Sequence, residues 1–446
     1  MSEHMMMKKK TSRVLIAALL GIVMIAGLTM WGCGGSGTSS YDDPSATTIN
    51  SPAVITAANL KQWIDGGKLN APLGDRDRVV VVSVSSAADW IATAKGHIPG
   101  AVRMDTAEIA QSRMEGLALA GSMMPDGPMM DGIIQRLGID ANTTIVLTIP
   151  KNSSLYNQSV AFWDFRYWGF SRQRLKILNG GDDAWEVAGL ALATDATDKY
   201  TASTYSVSKN AALKDVVRYS LGEMIAKVDS LIATPALKST WQLIDVRGFT
   251  TTPYLANTML LSSATMFLTR LDAGDGVTRN YVYPDKATLE SRMASLPVKD
   301  GADQVTPRIS PTKKTICMCG SSTSASPTFV LFDAVLNVPE GDIAMYDGSS
   351  SQWNSYSLAR LTAKYPGASA AQLSAWAFDN ATNPRARGTM PISTDLSIWA
   401  VAAPVLGPSA ADMNQIDTED KAYMAPAATT TPNTGSTTGG NSGGGC

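Results

Sequence analysis

One piece of this chain is written twice. Leu178-Asn179-Gly180-Gly181 followed by Trp185 returns as Tyr346-Asp347-Gly348-Ser349 followed by Trp353, each time a strand signal turning through Gly into a helix that opens with a Trp. The order of elements around the two copies repeats as well. In the first half, Ala58 to Ile64 and Asp131 to Leu137 have helical spacing, and Val79 to Val82 and Thr144 to Thr148 read as buried parallel strands. Ser159 to Trp168 then reads as a helix and Leu175 to Leu178 as a short strand. After a polar stretch around Thr194 to Asn210 come a helix, Leu221 to Ala233, and strands at Gln242 to Val246 and Thr315 to Met318. A helix from Pro327 to Leu336 and a strand from Ile343 to Tyr346 complete the second round. The pattern predicts an α/β fold in two similar domains, each a parallel sheet flanked by helices. At 446 residues the chain is long enough for each to bury its own core.

The ends are set aside before the fold is considered. Lys8, Lys9, Lys10 and Arg13 precede an uncharged, mostly aliphatic run from Val14 to Leu28 that ends at Met30-Trp31-Gly32-Cys33. This resembles a bacterial lipoprotein signal peptide over residues 1–33, with Cys33 as the lipid-bearing residue. The rival reading is an uncleaved membrane anchor, since about 18 apolar residues suffice to span hydrocarbon. Gly34 after Cys33 favours outer-membrane sorting, so an exported protein of the cell envelope is expected under the first reading. Residues 34–52 read as a flexible tether and residues 427–446 as a disordered Gly, Ser and Thr tail. Between them, residues 53–200 form the expected N-terminal domain, and residues 210–408 the C-terminal domain with an added stretch carrying Trp376 and Trp399. A net charge of −2 offers no basic field, so nucleic acid is not an expected partner. The four cysteines, Cys33, Cys317, Cys319 and Cys446, write no framework of bridges, and the fold must rest on its cores.

Gly96-His97-Ile98-Pro99-Gly100-Ala101, Phe162-Trp163, and the run Phe165 to Phe170 join the repeated turn as distinctive features of the first half. The second half has Leu243-Ile244-Asp245-Val246-Arg247 and Cys319-Gly320-Ser321-Ser322-Thr323-Ser324-Ala325. In this order and spacing they resemble the rhodanese superfamily, specifically its two-domain thiosulfate and mercaptopyruvate sulfurtransferases, over roughly Ile55 to Tyr365. The resemblance implies that Cys319 carries sulfane sulfur as a persulfide, from a small donor to a thiol or other nucleophile, without cofactor or metal. It also implies a silent first domain, because Ile149 to Ser154 stands at the matching loop without a Cys. His97 with Ser321 becomes a candidate for proton handling, the equal alternative being a structural turn residue hydrogen-bonded to backbone, and Arg247, with Arg270 beside it in the reading, is a candidate for contact with the donor's anionic group. The loop lacks the Arg and Lys of thiosulfate-preferring members, and the second half lacks the His-Ile-Pro-Gly signature, so the donor is left open. Two further classes remain in view: a non-catalytic docking subunit of an envelope complex, and a thiol-dependent oxyanion reductase.

The residues support the chemistry independently. A Cys at the end of a buried strand, followed by six small residues and a helix, sets its sulfur in a ring of backbone N–H groups, which favours thiolate over thiol. Small residues let the backbone curl round the sulfur. The plain alternative is a Cys that packs as a small hydrophobe. Cys317, two positions earlier, is expected in the core, a relay or Cys-x-Cys metal pair being the lesser reading. Only His4 and His97 exist, which excludes a multi-His metal site. Met123, Met124, Met129 and Met130 read as loop packing rather than a Cu(I) site.

Overall fold

A computed structural model describes residues 49, 51–116, 118–196, 200–251, 254–255, 257–300, 303–305, 309–378 and 412–425. The N-terminal run expected to be a signal peptide or anchor, with Cys33, most of residues 34–52, the stretch with Trp399, and residues 427–446 with Cys446 lie outside the described residues. Among the described residues no helix is long and apolar enough to cross a membrane.

The first half runs β1 (Val54–Ile55), α1 (Ala57–Asp65), β2 (Val79–Val84), α2 (Ala87–Ile91), β3 (Val102–Met104), a hairpin of β4 (Gln111–Glu115) and β5 (Ala118–Met123), α3 (Gly127–Arg136), β6 (Thr144–Thr148), α4 (Leu155–Tyr167), β7 (Leu175–Leu178) and α5 (Gly181–Val187). Every residue of β2 and β6 is buried, as expected of central parallel strands covered on both faces. The sheet order is β1-β7-β6-β2-β3, parallel throughout. Helix α3 begins earlier than its periodicity indicates, because Asp126 accepts from the Met129 amide and Pro128 sits in the first turn. Met123, Met124 and Met130 are buried side chains of this region.

The second half follows a short helix α6 (Val207–Asn210) and runs α7 (Leu221–Ala233), β8 (Trp241–Asp245), β9 (Thr258–Leu260), a hairpin of β10 (Thr269–Arg270) and β11 (Tyr281–Val282), α8 (Lys286–Ser295), β12 (Val298–Asp300), β13 (Asp303–Val305), β14 (Lys314–Met318), α9 (Ser326–Val330), β15 (Ile343–Met345), α10 (Ser349–Trp353), α11 (Leu358–Lys364) and α12 (Ala370–Trp376). Helix α7 opens on a capping box of Ser220 and Glu223. The sheet order is β13-β12-β9-β8-β14-β15. Its four strands β15-β14-β8-β9 reproduce the order and direction of β7-β6-β2-β3, which is the duplication expressed as topology.

Two expectations are corrected here. The second sheet is mixed rather than parallel, because β12 and β13 form a hairpin that adds to β9 antiparallel. The helix expected over Pro327 to Leu336 is α-helical only to Val330 and continues as a π-turn through Leu331–Val335. Helix α4 joins the halves. It is buried on every side from Gln158 to Tyr167, the mark of a helix enclosed in protein. Phe162 meets Phe329 of α9 at 6.5 Å between ring centroids.

Candidate active site

Cys319 stands one residue beyond β14, with 1% of its surface exposed. The backbone N–H groups of Ser321, Ala325 and Ser324 donate to its sulfur. The other loop residues hold the loop rather than the sulfur. Ser322 donates its amide to the Asp347 carbonyl at 3.0 Å and its hydroxyl to the Ser122 carbonyl of β5 at 2.8 Å. The Gly320 carbonyl accepts from the Ser351 amide at 3.0 Å, and the Thr323 carbonyl from the Ser326 hydroxyl at 2.7 Å.

The repeated turn closes the site from below. Ser349 has φ +48, where the first half has Gly181 at φ +58. A non-glycine residue in this conformation costs about 1–2 kcal/mol, and Ser349 offsets it with its hydroxyl. That group accepts the Cys319 amide at 3.1 Å and donates to the Tyr346 carbonyl at 2.7 Å. Sequence reasoning placed Ser349 only as a turn residue; its signal was a Ser where the sister turn has Gly. Trp353, 2% exposed, anchors the helix that follows.

The site is bordered by both halves. Tyr156, in the first turn of α4, accepts the Ser326 hydroxyl on its carbonyl at 3.4 Å, and its phenol lies within electrostatic reach of Tyr281, Cys319 and Arg270. Tyr156, Met266 and Tyr281 pack on the apolar cluster that contains Cys319, Ala325 and Phe329.

The electrostatics differ from expectation. Burial pushes the Cys319 thiol above its ordinary value, the three amide donors pull it back, and the Asp245 carboxylate adds to the rise. The cradle offsets desolvation without overcoming it. Cys317 is fully buried, donates to the Ala344 carbonyl at 3.5 Å, and is raised further by burial. It packs as a core residue.

Arg247 lies beside Cys319, but its guanidinium is engaged. Nε and Nη2 donate to Asp245 at 2.8–3.0 Å, and its Cζ sits 4.6 Å from the Tyr254 ring centroid. The pair leaves Arg247 little net charge to offer an anion. His97 and Ser321 are not brought together. His97 stacks on Trp90 at 3.6 Å, its Nδ1 is 3.1 Å from the Trp90 carbonyl, and its backbone pairs with Ala193. All of these partners belong to the first half.

The silent loop of the first half is filled. Asn280, just before β11, donates from Nδ2 to the carbonyls of Pro150 and Gly180 at 3.1 and 3.2 Å and accepts the Ser153 amide at 2.7 Å. No group of His, Cys, Asp and Glu suited to a metal ion occurs among the described residues.

The chain is similar to the thiosulfate sulfurtransferase of Corynebacterium glutamicum, 24% identical over 310 residues, or 68% of this chain and 90% of that protein. Among solved structures it is similar to the Tum1 protein from Saccharomyces cerevisiae, at 17% identity and a TM-score of 0.49, covering 67% of this chain and 94% of the other. It is also similar to YnjE, at 17% identity and a TM-score of 0.47, covering 68% and 66%. No family model matches. The curated relative, spanning both repeats, supports the resemblance to the rhodanese superfamily.

Proposed function

We propose that this chain is a sulfurtransferase that works through a persulfide on Cys319. The observation that carries the reading is the ring of three backbone amides on the Cys319 sulfur, closed from below by Ser349. The similarity to a thiosulfate sulfurtransferase supports a sulfurtransferase-type role.

In the first step the Cys319 thiolate attacks the transferable sulfur of a small donor and the donor's bond to that sulfur breaks. From thiosulfate, the S–S bond breaks and sulfite leaves with the electron pair. From 3-mercaptopyruvate, the C–S bond breaks, and carbon takes the electron pair and the thiol proton to leave as pyruvate. The terminal persulfide sulfur is a polarisable anion, and the same amides that compensate a thiolate compensate it. In the second step an acceptor thiolate attacks the outer sulfur and Cys319 leaves as thiolate. The raised thiol makes the first step faster at alkaline pH, where more of Cys319 is ionised.

The test is intact mass after incubation with thiosulfate or 3-mercaptopyruvate. Wild-type protein gains about 32 Da and Cys319→Ser gains nothing. Folded, reduced wild-type protein that gains no mass from either donor sinks the reading and leaves a docking role for the fold.

The positive run at Lys8 to Arg13 and the apolar run to Leu28 support work in the cell envelope, with Cys33 as the point of lipid attachment. Labelled fatty acid is expected in the wild type and absent from Cys33→Ser; equal labelling of the two rejects that site.

A further inference from the structure

The loop that carries Cys319 is held partly by the other half of the molecule. The β4–β5 hairpin accepts the Ser322 hydroxyl on its Ser122 carbonyl at 2.8 Å, and the Met124 amide just after it donates to the Asp347 carboxylate at 3.2 Å. This hairpin is a two-stranded sheet of its own, and two strands alone are marginally stable in water. Its support comes from the helix Gln415–Met424. Arg113 of β4 donates to Asp420 at 2.7 and 3.0 Å and to Glu419 at 3.1 Å, and fully buried Ile416 packs with Ala120 and Met123 of β5. Arg218 then joins all three parts: Glu115 of the hairpin at 3.1 Å, Asp417 of the helix at 2.5 Å and Asp347 of the repeated turn at 2.9 Å. The helix depends on the hairpin in return, because ten residues are too few to keep a helix in water without packing. Its departure would also strip carboxylate partners from Arg113 and Arg218, both buried. Docked or undocked, helix and hairpin therefore change state together.

We propose that the helix Gln415–Met424 is a regulatory clasp: docked, it fixes the β4–β5 hairpin and through it closes the loop around Cys319, and released, it frees the hairpin and opens the thiol to reagents. The proposal needs Cys319 only as a thiol, so its failure and that of the sulfur-transfer reading are separate events. With the helix docked, Cys319 exposes 1% of its surface, and a reagent reaches the sulfur only when the loop moves. The contacts through Ser322 and Asp347 make that movement depend on the hairpin, and Arg113, Ile416 and Asp417 make the hairpin depend on the helix. Coupling of this kind acts in both directions. A group attached to Cys319 that props the loop open must in turn loosen the helix.

The experiment uses the full chain and two variants that dislodge the helix in different ways. Ile416→Ala removes its apolar anchor, and Gly127→Ala sets a methyl group where the Tyr423 ring lies, at the start of α3. Hydrogen exchange read by peptide mass follows the helix, and iodoacetamide, with adducts mapped to Cys319, follows the thiol. In both variants exchange should quicken in Gln415–Met424, in the hairpin and in the Ser321 to Ala325 loop, while the central strands β2, β6 and β8 stay protected. Alkylation of Cys319 should quicken roughly fivefold to a hundredfold, the usual span of coupling between two sites. In the reverse arm, wild-type protein alkylated at Cys319 should exchange faster in the helix than unmodified protein. Three results overturn the proposal: a loosened helix with Cys319 alkylated at the wild-type rate, a helix that stays protected in both variants, or faster exchange spread through β2, β6 and β8. A helix indifferent to alkylation of Cys319 overturns it as well.

Discussion

Ser349 and Cys319 are coupled by one hydrogen bond, and that bond is open to a sharp test. Removing the Ser349 hydroxyl leaves the buried Cys319 amide without its partner, which costs about 1–3 kcal/mol. Ser349→Ala keeps the positive φ of a non-glycine residue and takes the whole loss, whereas Ser349→Gly recovers about 1–2 kcal/mol of backbone cost. Urea midpoints should therefore fall in the order wild type, Gly, Ala; an Ala variant as stable as wild type would show that the hydroxyl is not needed. Residue by residue, the site was legible where it is local. Cys319 and its small followers announce a tight curl of backbone, and Arg247 falls beside the sulfur because it follows its strand by two positions. His97 stayed open between proton handling and a structural turn, because no local pattern foretells its stacking contact with Trp90.

At the scale of elements, two hairpins and a terminal helix decide how the halves meet. The β4–β5 hairpin reaches the active-site loop, through Ser122 to Ser322 and through the Met124 amide to the Asp347 carboxylate at 3.2 Å. The β10–β11 hairpin reaches the opposite loop, through Asn280. Each half thus lends a hairpin to the other's loop, and the silent loop is plugged by Asn280. The stretch beyond β15 wraps the second half, where Phe378 packs on Trp353 and Tyr356 at 4.5 and 4.7 Å. The helix Gln415–Met424 was not foreseen and packs against the first half: Arg113 holds Asp420 at 2.7 Å, and Tyr423 reaches Asp131. Its acidic residues Asp417 and Asp420 are buried against arginines that lie far away in the chain, Arg218 and Arg113.

Across the whole molecule, the junction between the halves is an ionic core with carboxylates in excess. Arg218 is fully buried and bonds Asp347 at 2.9 Å, Asp417 at 2.5 Å and Glu115 at 3.1 Å. It pairs with Met345 at the sheet edge, as β1 pairs with β7 in the first half. Asp164 lies nearby in the electrostatic sense, fully buried, and among the described residues neither of its carboxylate oxygens has a hydrogen-bond partner. Burial, reinforced by Asp347, pushes it well above the carboxylate range. Burial likewise pushes Glu115 up to about 7 against the pull of Arg218. Because the folded value lies above the ordinary 4.5, the native state holds a proton that the unfolded chain releases first. That contribution is complete below the unfolded value and is lost as pH rises through about 7. Urea unfolding should therefore show stability declining between pH 5 and pH 8, and Glu115→Gln should flatten the decline; an equally steep profile in the variant would show that another group titrates.

The sequence by itself determined the class of fold, the duplication and the loop of small residues that follows Cys319. Strand periodicity, Gly turns and runs of small residues act over a few positions, so they can be read locally. Only the tertiary structure decided which charges survive at the site and which cancel. It placed Asp245 on Arg247 and stacked His97 on Trp90. Such pairings depend on the closing of long loops and on burial, which raised the Cys319 thiol above the value that its amide cradle alone would give.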